Sequence, residues 1–137
     1  MKSSIAAILL SIFSAKSCEK KTASCDCKLE GLWSGTYSVD QNPKQGKLYY
    51  SIVFKPGGTL ITEGKGSDGT SYYSSGKWDL NGTDLNCEFQ TINFPYGTVV
   101  QRSTFQFNSQ TCQLTNGKWK DIQNGPNTGE FQLSQIK

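Results

Sequence analysis

Cysteine is the residue type in this chain with the widest choice of chemistry. The cysteines are Cys18, Cys25, Cys27, Cys87 and Cys112, and the chain contains no histidine. A cysteine or serine nucleophile therefore lacks its usual general base, and a metal site lacks its commonest ligand. Four thiols could still form a zinc site, but the paired C-x-x-C spacing of such sites is missing. We expect disulfides and no metal.

Paired carboxylates offer a second route to catalysis, because glycoside hydrolysis needs no histidine. Glu63, Asp79, Asp84 and Glu88 lie in the central part of the chain. The last three alternate with apolar residues, so they should point to solvent from a strand whose other face is buried. We expect no enzyme activity and no cofactor.

The first 17 residues have the order of a signal peptide. A positive start at Met1-Lys2 is followed by the apolar run 5–13 and by small residues at Ala15 and Ser17. The apolar run is much shorter than the roughly 20 residues that a membrane-spanning helix needs. The sequence therefore predicts export, with residues 1–17 removed.

The cleavage site has two interpretations. The stretch SAKSC at 14–18 resembles a bacterial lipobox, in which the cysteine after the cut carries lipid. Lipidation of Cys18 would anchor the protein to a membrane of the cell envelope and leave four cysteines, an even number for disulfides. Ordinary signal-peptidase cleavage would instead release a secreted soluble protein. We expect the lipoprotein, with a lipid-anchored tether at 18–29 and one domain at 30–137.

The charge of the processed chain argues against nucleic acid as a partner. The intact chain has 14 basic and 11 acidic residues, and removal of Lys2 and Lys16 leaves them nearly balanced. Arg102 is the only arginine, and the lysines of the domain are scattered. A surface that follows a phosphate backbone normally needs clustered positive charge. No sequence feature identifies a protein partner.

The domain has the period-two hydrophobicity of β-strands. Leu85, Cys87 and Phe89 alternate with polar residues, as expected of a half-buried strand. No window carries a helical apolar stripe. Similar alternation predicts strands at 32–39, 47–54, 58–63, 70–80, 83–91, 97–107, 111–120 and 128–136.

Turn residues separate these strands and predict their order. Asn81-Gly82 indicates a hairpin with a type I′ turn, which needs positive φ at both central residues. Sequential hairpins of about eight strands bury one face by closing on themselves. The prediction is an all-β fold, an antiparallel up-and-down β-barrel.

Strand order also restricts the disulfides. If the strand at 97–107 lies between those that carry Cys87 and Cys112, the two cysteines are separated by about 9.5 Å, too far for a bond. We therefore expect Cys25 and Cys27 each to reach one of Cys87 and Cys112. A direct bond between Cys87 and Cys112 would mean that the strand order is wrong.

Each tryptophan follows a glycine by two residues, at Trp33, Trp78 and Trp119. A glycine on the same face of the strand leaves room for a large ring, so these triplets are expected to shape the barrel. Gly31-Leu32-Trp33 resembles the G-x-W opening of lipocalins and related calycin barrels. The block 57–85 resembles the middle of small lipocalin-like lipoproteins of the Bacteroidota. The resemblance implies a cup-shaped barrel for a small apolar or amphipathic molecule.

Polar residues on the inward face are candidates for ligand contact. Gln101 and Ser103 share a face with Phe105 and Phe107, where they need partners in the core or in a ligand. The full set of candidate ligand-binding residues is Trp33, Tyr37, Tyr50, Tyr72, Trp78, Gln101 and Ser103. A filled barrel would instead act through its outer face, as an inhibitor, carbohydrate binder or assembly partner, with Tyr49, Tyr73 and Tyr96 as exposed contacts.

Overall fold

The protein is a closed barrel of eight antiparallel strands in sequential order, in a computed structural model that describes residues 27–95 and 97–137. A short 3-10 helix, Pro43–Gln45, lies between the first two strands. The strands are β1 (Gly31–Tyr37), β2 (Leu48–Lys55), β3 (Thr59–Lys65), β4 (Ser71–Asn81), β5 (Asp84–Thr91), β6 (Val100–Asn108), β7 (Gln113–Gln123) and β8 (Thr128–Gln135).

This architecture confirms the predicted all-β, up-and-down barrel, and the observed strands overlap all eight predicted runs. Each strand pairs with the next, and β1 pairs with β8, so the sheet has no free edge. The barrel is compatible with the lipocalin-like fold that the sequence resembles. In the described part of the chain, no helix is both long enough and apolar enough to cross a membrane.

The β4–β5 hairpin is present, but its predicted type I′ turn is wrong. Asn81 pairs with Asp84, so the turn is centred on Gly82 and Thr83. Of these residues, only Gly82 has positive φ. A two-residue turn of this kind needs positive φ only at its first central position, which Gly82 supplies, so Asn81 does not have to adopt the left-handed conformation.

The end of the barrel where β1 begins, called the closed end here, is filled with side chains. Trp33 is completely buried, and its indole nitrogen donates to the carbonyl of Leu29 at 2.8 Å. The Trp33 ring meets Phe107 edge to face. The other buried side chains at this end are Leu29, Phe54, Leu60, Leu85 and Leu114. The segment before β1 is thus part of the core.

A disulfide between Cys27 and Cys112 fastens this segment to the barrel. Their Cα atoms are 5.4 Å apart, and the bond joins positions separated by 85 residues. Gln135 reinforces the attachment by donating to the carbonyl of Lys28 at 2.9 Å. This pair is one of the predicted links between the tether and the barrel.

Cys87, in contrast, is a free and buried thiol, which corrects the expectation that Cys25 or Cys27 would reach it. Cys87 lies at an inward position of β5, between Trp78 on β4 and Ser103 on β6. The sulfur of Cys27 is already bonded to Cys112. Cys25, like the predicted signal peptide and lipidation site, lies outside the described residues.

Two of the glycine-tryptophan triplets owe their glycine to close packing. A Cβ added to Gly117 would lie 2.8 Å from the ring of Phe105, and one added to Gly76 would lie 2.6 Å from Cβ of Phe89. These distances are shorter than any carbon–carbon packing contact. The missing side chains therefore make room for neighbouring phenylalanines rather than for the tryptophans.

Candidate functional site

The end of the barrel opposite the closed end contains a cavity of about 450 Å³. Its rim is formed by the loops that follow β1, β5 and β7, which contribute Val39, Phe94 and Asn124. This volume lies within the range of about 300–1,000 Å³ found for small-molecule sites. We call this end the open end.

Hydrogen bonds between the loops hold the rim in place. Gln41, in the loop after β1, donates to the carbonyl of Pro126 at 3.2 Å and accepts from the backbone N–H of Thr128 at 3.0 Å. Asn124 donates to the carbonyl of Thr98 at 2.7 Å, which joins the loop after β7 to the segment before β6. The mouth is therefore built before any ligand arrives, which lowers the entropic cost of binding.

Aromatic rings cover much of the cavity wall. The ring centroids of Tyr50 and Phe131 are 4.6 Å apart, and Tyr37 lies 5.6 Å from Tyr50 and 6.1 Å from Trp119. Tyr72 and Phe94, which also line the cavity, form a second pair at 5.6 Å. Rings at these separations and tilts attract one another, and each offers a large apolar face to a ligand.

The positions of Trp119 and Tyr37 are fixed by hydrogen bonds to backbone. Trp119 donates from its indole nitrogen to the carbonyl of Ser38 at 3.1 Å, and Tyr37 donates from its hydroxyl to the carbonyl of Lys65 at 3.0 Å. Trp119 also requires Gly129 on β8, because a Cβ there would lie 2.6 Å from the indole nitrogen. Both side chains thus present fixed surfaces to the cavity.

Asp121 supplies a carboxylate to the cavity wall. Gln101 donates to Oδ1 of Asp121 at 2.8 Å, and Asn127 donates to Oδ2 at 3.0 Å. The Asp121 carboxylate fills the space that a side chain at Gly125 would need. Asp121 has no ion pair within the described residues, where the single salt bridge joins Arg102 to Glu88.

Buried hydroxyls border the cavity on its inner side. The hydroxyl oxygens of Tyr50, Thr62 and Ser103 are shielded. Tyr50 lies beside Thr62 and Ser103 beside Cys87, but none of the three hydroxyls makes a hydrogen bond of good geometry with a described residue. Such groups usually find partners, and each unpaired one costs about 1–3 kcal/mol. Tyr50 and Thr62 line the cavity. The interior at this level is therefore polar as well as aromatic.

Burial also raises the pKa of two tyrosine hydroxyls at the cavity. Burial raises the pKa of Tyr50 well above its usual value, and it raises the pKa of Tyr37, with the nearby charge of Tyr72 as a smaller cause. Both phenols are therefore neutral at physiological pH and act as hydrogen-bonding and aromatic groups rather than as bases.

The structure divides the seven candidate ligand-binding residues into two groups. Tyr37, Tyr50, Tyr72 and Gln101 line the cavity. The other three do not: Trp33 fills the closed end, Trp78 packs edge to face on Phe54, and Ser103 lies beneath the cavity next to Cys87.

Several cavity residues were missed by the sequence interpretation. Asp121 is the most consequential, and its position could be read from alternation: it lies two residues after Trp119, on the same face of β7. Thr62 likewise follows Leu60 by two residues on β3. The rim residues carry no such signal, because their positions depend on loop conformation rather than on the period of a strand.

The outer surface agrees with several orientations inferred from alternation. Tyr49 and Tyr73 are exposed, whereas Tyr96 lies outside the described residues. Asp79, Asp84 and Glu88 also face solvent, as expected. Nowhere in the described ranges do three potential metal ligands come together.

Comparisons with known proteins give no relative from which a function could be carried over. No protein-family model matches this chain, and neither does any curated protein or solved structure. The function has to be argued from the barrel and its cavity.

Proposed function

We propose that this protein is a non-catalytic lipoprotein of the cell envelope whose barrel binds one small apolar or amphipathic molecule. The observation that carries the proposal is the aromatic cavity of about 450 Å³ at one end of a barrel whose other end is filled. Liquid water occupies about 30 Å³ per molecule, so the volume suits a ligand of about 15 non-hydrogen atoms.

The lining supports binding rather than catalysis. Among the described residues that line the cavity, Asp121 is the single carboxylate, and none is a lysine or an arginine. The chain has no histidine. Hydrolysis by paired carboxylates requires a second acid, and Asp79, Asp84 and Glu88 are on the outer face. Gln101 and Asn127 occupy both oxygens of Asp121, which suits a fixed polar contact better than proton transfer.

The start of the described chain indicates which end of the barrel lies nearer to the proposed lipid anchor. The described chain begins there, at Cys27, where the disulfide holds it to the barrel. From Cys18 to Cys27 an extended chain reaches at most about 30 Å. A lipid on Cys18 would therefore keep the closed end within about 30 Å of the membrane surface.

Fluorescence titration with N-phenyl-1-naphthylamine, a neutral apolar probe, tests the proposal. We expect saturable enhancement with one site per chain. Val99→Trp, which places an indole at the cavity wall, should weaken binding at least tenfold. Val53→Trp on the outer face of β2 is the matched control and should leave binding unchanged.

Equal loss of binding in both variants, or no saturable site in the folded wild type, would contradict the proposal. The second candidate would then be action through the outer face. That candidate has a specific feature in its favour: Leu32, Val53 and Ile61 face one another in register across β1, β2 and β3, and the two outer members are about 40% exposed.

A further inference from the structure

We propose that the cavity selects ligands that carry a positive charge, an organic ammonium group on an apolar body, with Asp121 as the counter-charge. This inference rests on the proposed binding function and specifies its ligand class. Its starting point is the charge of the lining: of the residues that the structure describes there, Asp121 is the single carboxylate and none is a lysine or an arginine.

The carboxylate is held in place but keeps capacity for a ligand. Gln101 and Asn127 each donate one hydrogen bond to Asp121, and both donors are neutral amides. A carboxylate has about four acceptor sites, so two remain for an ammonium group. The negative charge is partly buried and has no cation from the described protein beside it. A cationic ligand would offset the cost of removing that charge from water.

The aromatic wall favours the same ligand class. The ring centroid of Tyr37 lies 5.6 Å from that of Tyr50 and 6.1 Å from that of Trp119. Tyr72 and Phe94 add a further aromatic pair to the lining. The faces of such rings attract cations, and groups of aromatic side chains are a common way to bind ammonium ligands. The same rings bury the apolar body of the ligand, so one wall serves both parts.

An anionic amphiphile such as a fatty acid is disfavoured by the same features. Its carboxylate would enter a partly desolvated space to which the described part of the chain contributes no positive side chain and which already contains Asp121. Like charges at short distance in a low-dielectric environment repel strongly, and the ligand would lose its hydration in addition. The cavity should therefore rank amphiphiles by the sign of the head group.

Isothermal titration of the full chain with three compounds of matched shape tests this ranking. The compounds are 4-phenylbutylamine, 4-phenylbutanol and 4-phenylbutyrate, which are cationic, neutral and anionic at pH 7. We expect the amine to bind at least tenfold more tightly than the alcohol and the anion to bind most weakly. The preference for the amine should shrink as salt is added, because screening weakens the charge interaction.

Asp121→Asn should lower the affinity for the amine about tenfold and leave the affinity for the alcohol within twofold. Asp79→Asn, which removes an exposed carboxylate from the outer face, is the matched control and should change neither. If Asp121→Asn does not fold, the ranking of the three compounds by the wild type and its salt dependence still decide the question.

The outcomes separate the two proposals. Equal affinity for the three compounds, or tightest binding of 4-phenylbutyrate, would overturn the charge selection while leaving the binding function intact. No binding of any compound at millimolar concentration would overturn both.

Discussion

The disulfide between Cys27 and Cys112 should contribute a large part of the stability of the barrel. The bond spans 85 positions, and closing a loop of that length lowers the conformational entropy of the unfolded chain. The chain-entropy relation gives about 4.6 kcal/mol at 25 °C as an upper value, and measured disulfides commonly contribute about 2–4 kcal/mol. Typical domains are only about 5–15 kcal/mol stable, so the loss would be conspicuous.

Replacement of both cysteines by serine should therefore lower the free energy of unfolding by about 2–4.5 kcal/mol. For a domain of this size that corresponds to a fall in Tm of about 10 °C or more. Equilibrium denaturation, followed by tryptophan fluorescence, measures the change. The parent and the variant should both carry Cys25→Ser, because Cys25 could otherwise form a disulfide with Cys112 in place of Cys27.

Reductant provides the internal control for this prediction. The oxidised parent should lose stability when dithiothreitol is added, whereas the Cys27→Ser/Cys112→Ser variant should be insensitive to it. If the parent unfolds at the same denaturant concentration with and without reductant, the disulfide is absent or does not stabilise the fold. The segment before β1 would then not be fastened to the closed end by this bond.

Three further predictions concern Trp33 and Cys87, which are buried in the barrel. Trp33→Phe should destabilise the protein by about 1–3 kcal/mol, because the buried carbonyl of Leu29 loses its hydrogen-bond donor. Binding of the naphthylamine probe should be unchanged. Weaker probe binding by the folded variant would instead place Trp33 at the binding site. Burial raises the pKa of Cys87 to about 12, so mass-mapped alkylation at pH 8 should spare Cys87 in the folded state and label it on unfolding. Labelling of folded Cys87 at pH 8 would contradict this expectation. Because the pKa of Cys87 in the folded state lies above the usual value of 9.0, its contribution to stability is complete below pH 9 and should be lost as the pH rises toward 12. Cys87→Ala should reduce that loss of stability.

Alternation predicted which face of a strand is buried, and that part of the structure follows closely from the sequence. Leu85, Cys87 and Phe89 on β5 all point inward, as do Ser103 and Phe105 on β6. A period of two fixes the face because successive side chains alternate across a strand. It does not fix the height of a residue along the barrel.

The placement of the tryptophans shows the consequence. Trp33 lies near the start of β1 and Trp78 near the end of β4, and these two strand ends meet at the closed end because the strands are antiparallel. Trp119 lies toward the end of β7 and therefore reaches the cavity. The predicted strand order, combined with position along each strand, would have placed Trp33 and Trp119 at opposite ends of the barrel.

The rim of the cavity was beyond prediction for a different reason. Gln41, Asn124 and Asn127 lie in loops, and their positions depend on hydrogen bonds to distant parts of the chain, such as that from Asn124 to Thr98. Local sequence carries no period from which these contacts follow. Asp121 was different, since its inward direction follows from that of Trp119 two residues earlier.

The cavity itself is the central claim, and a crystal structure of the protein soaked with 5-bromoindole tests it most directly. The anomalous signal of bromine locates the ligand without reference to its shape. A single strong peak in the open end, in contact with the rings of Trp119, Phe131 and Tyr72, is the result expected from the aromatic lining. An open end that excludes the compound while bromine binds on the outer face of the barrel would contradict the account.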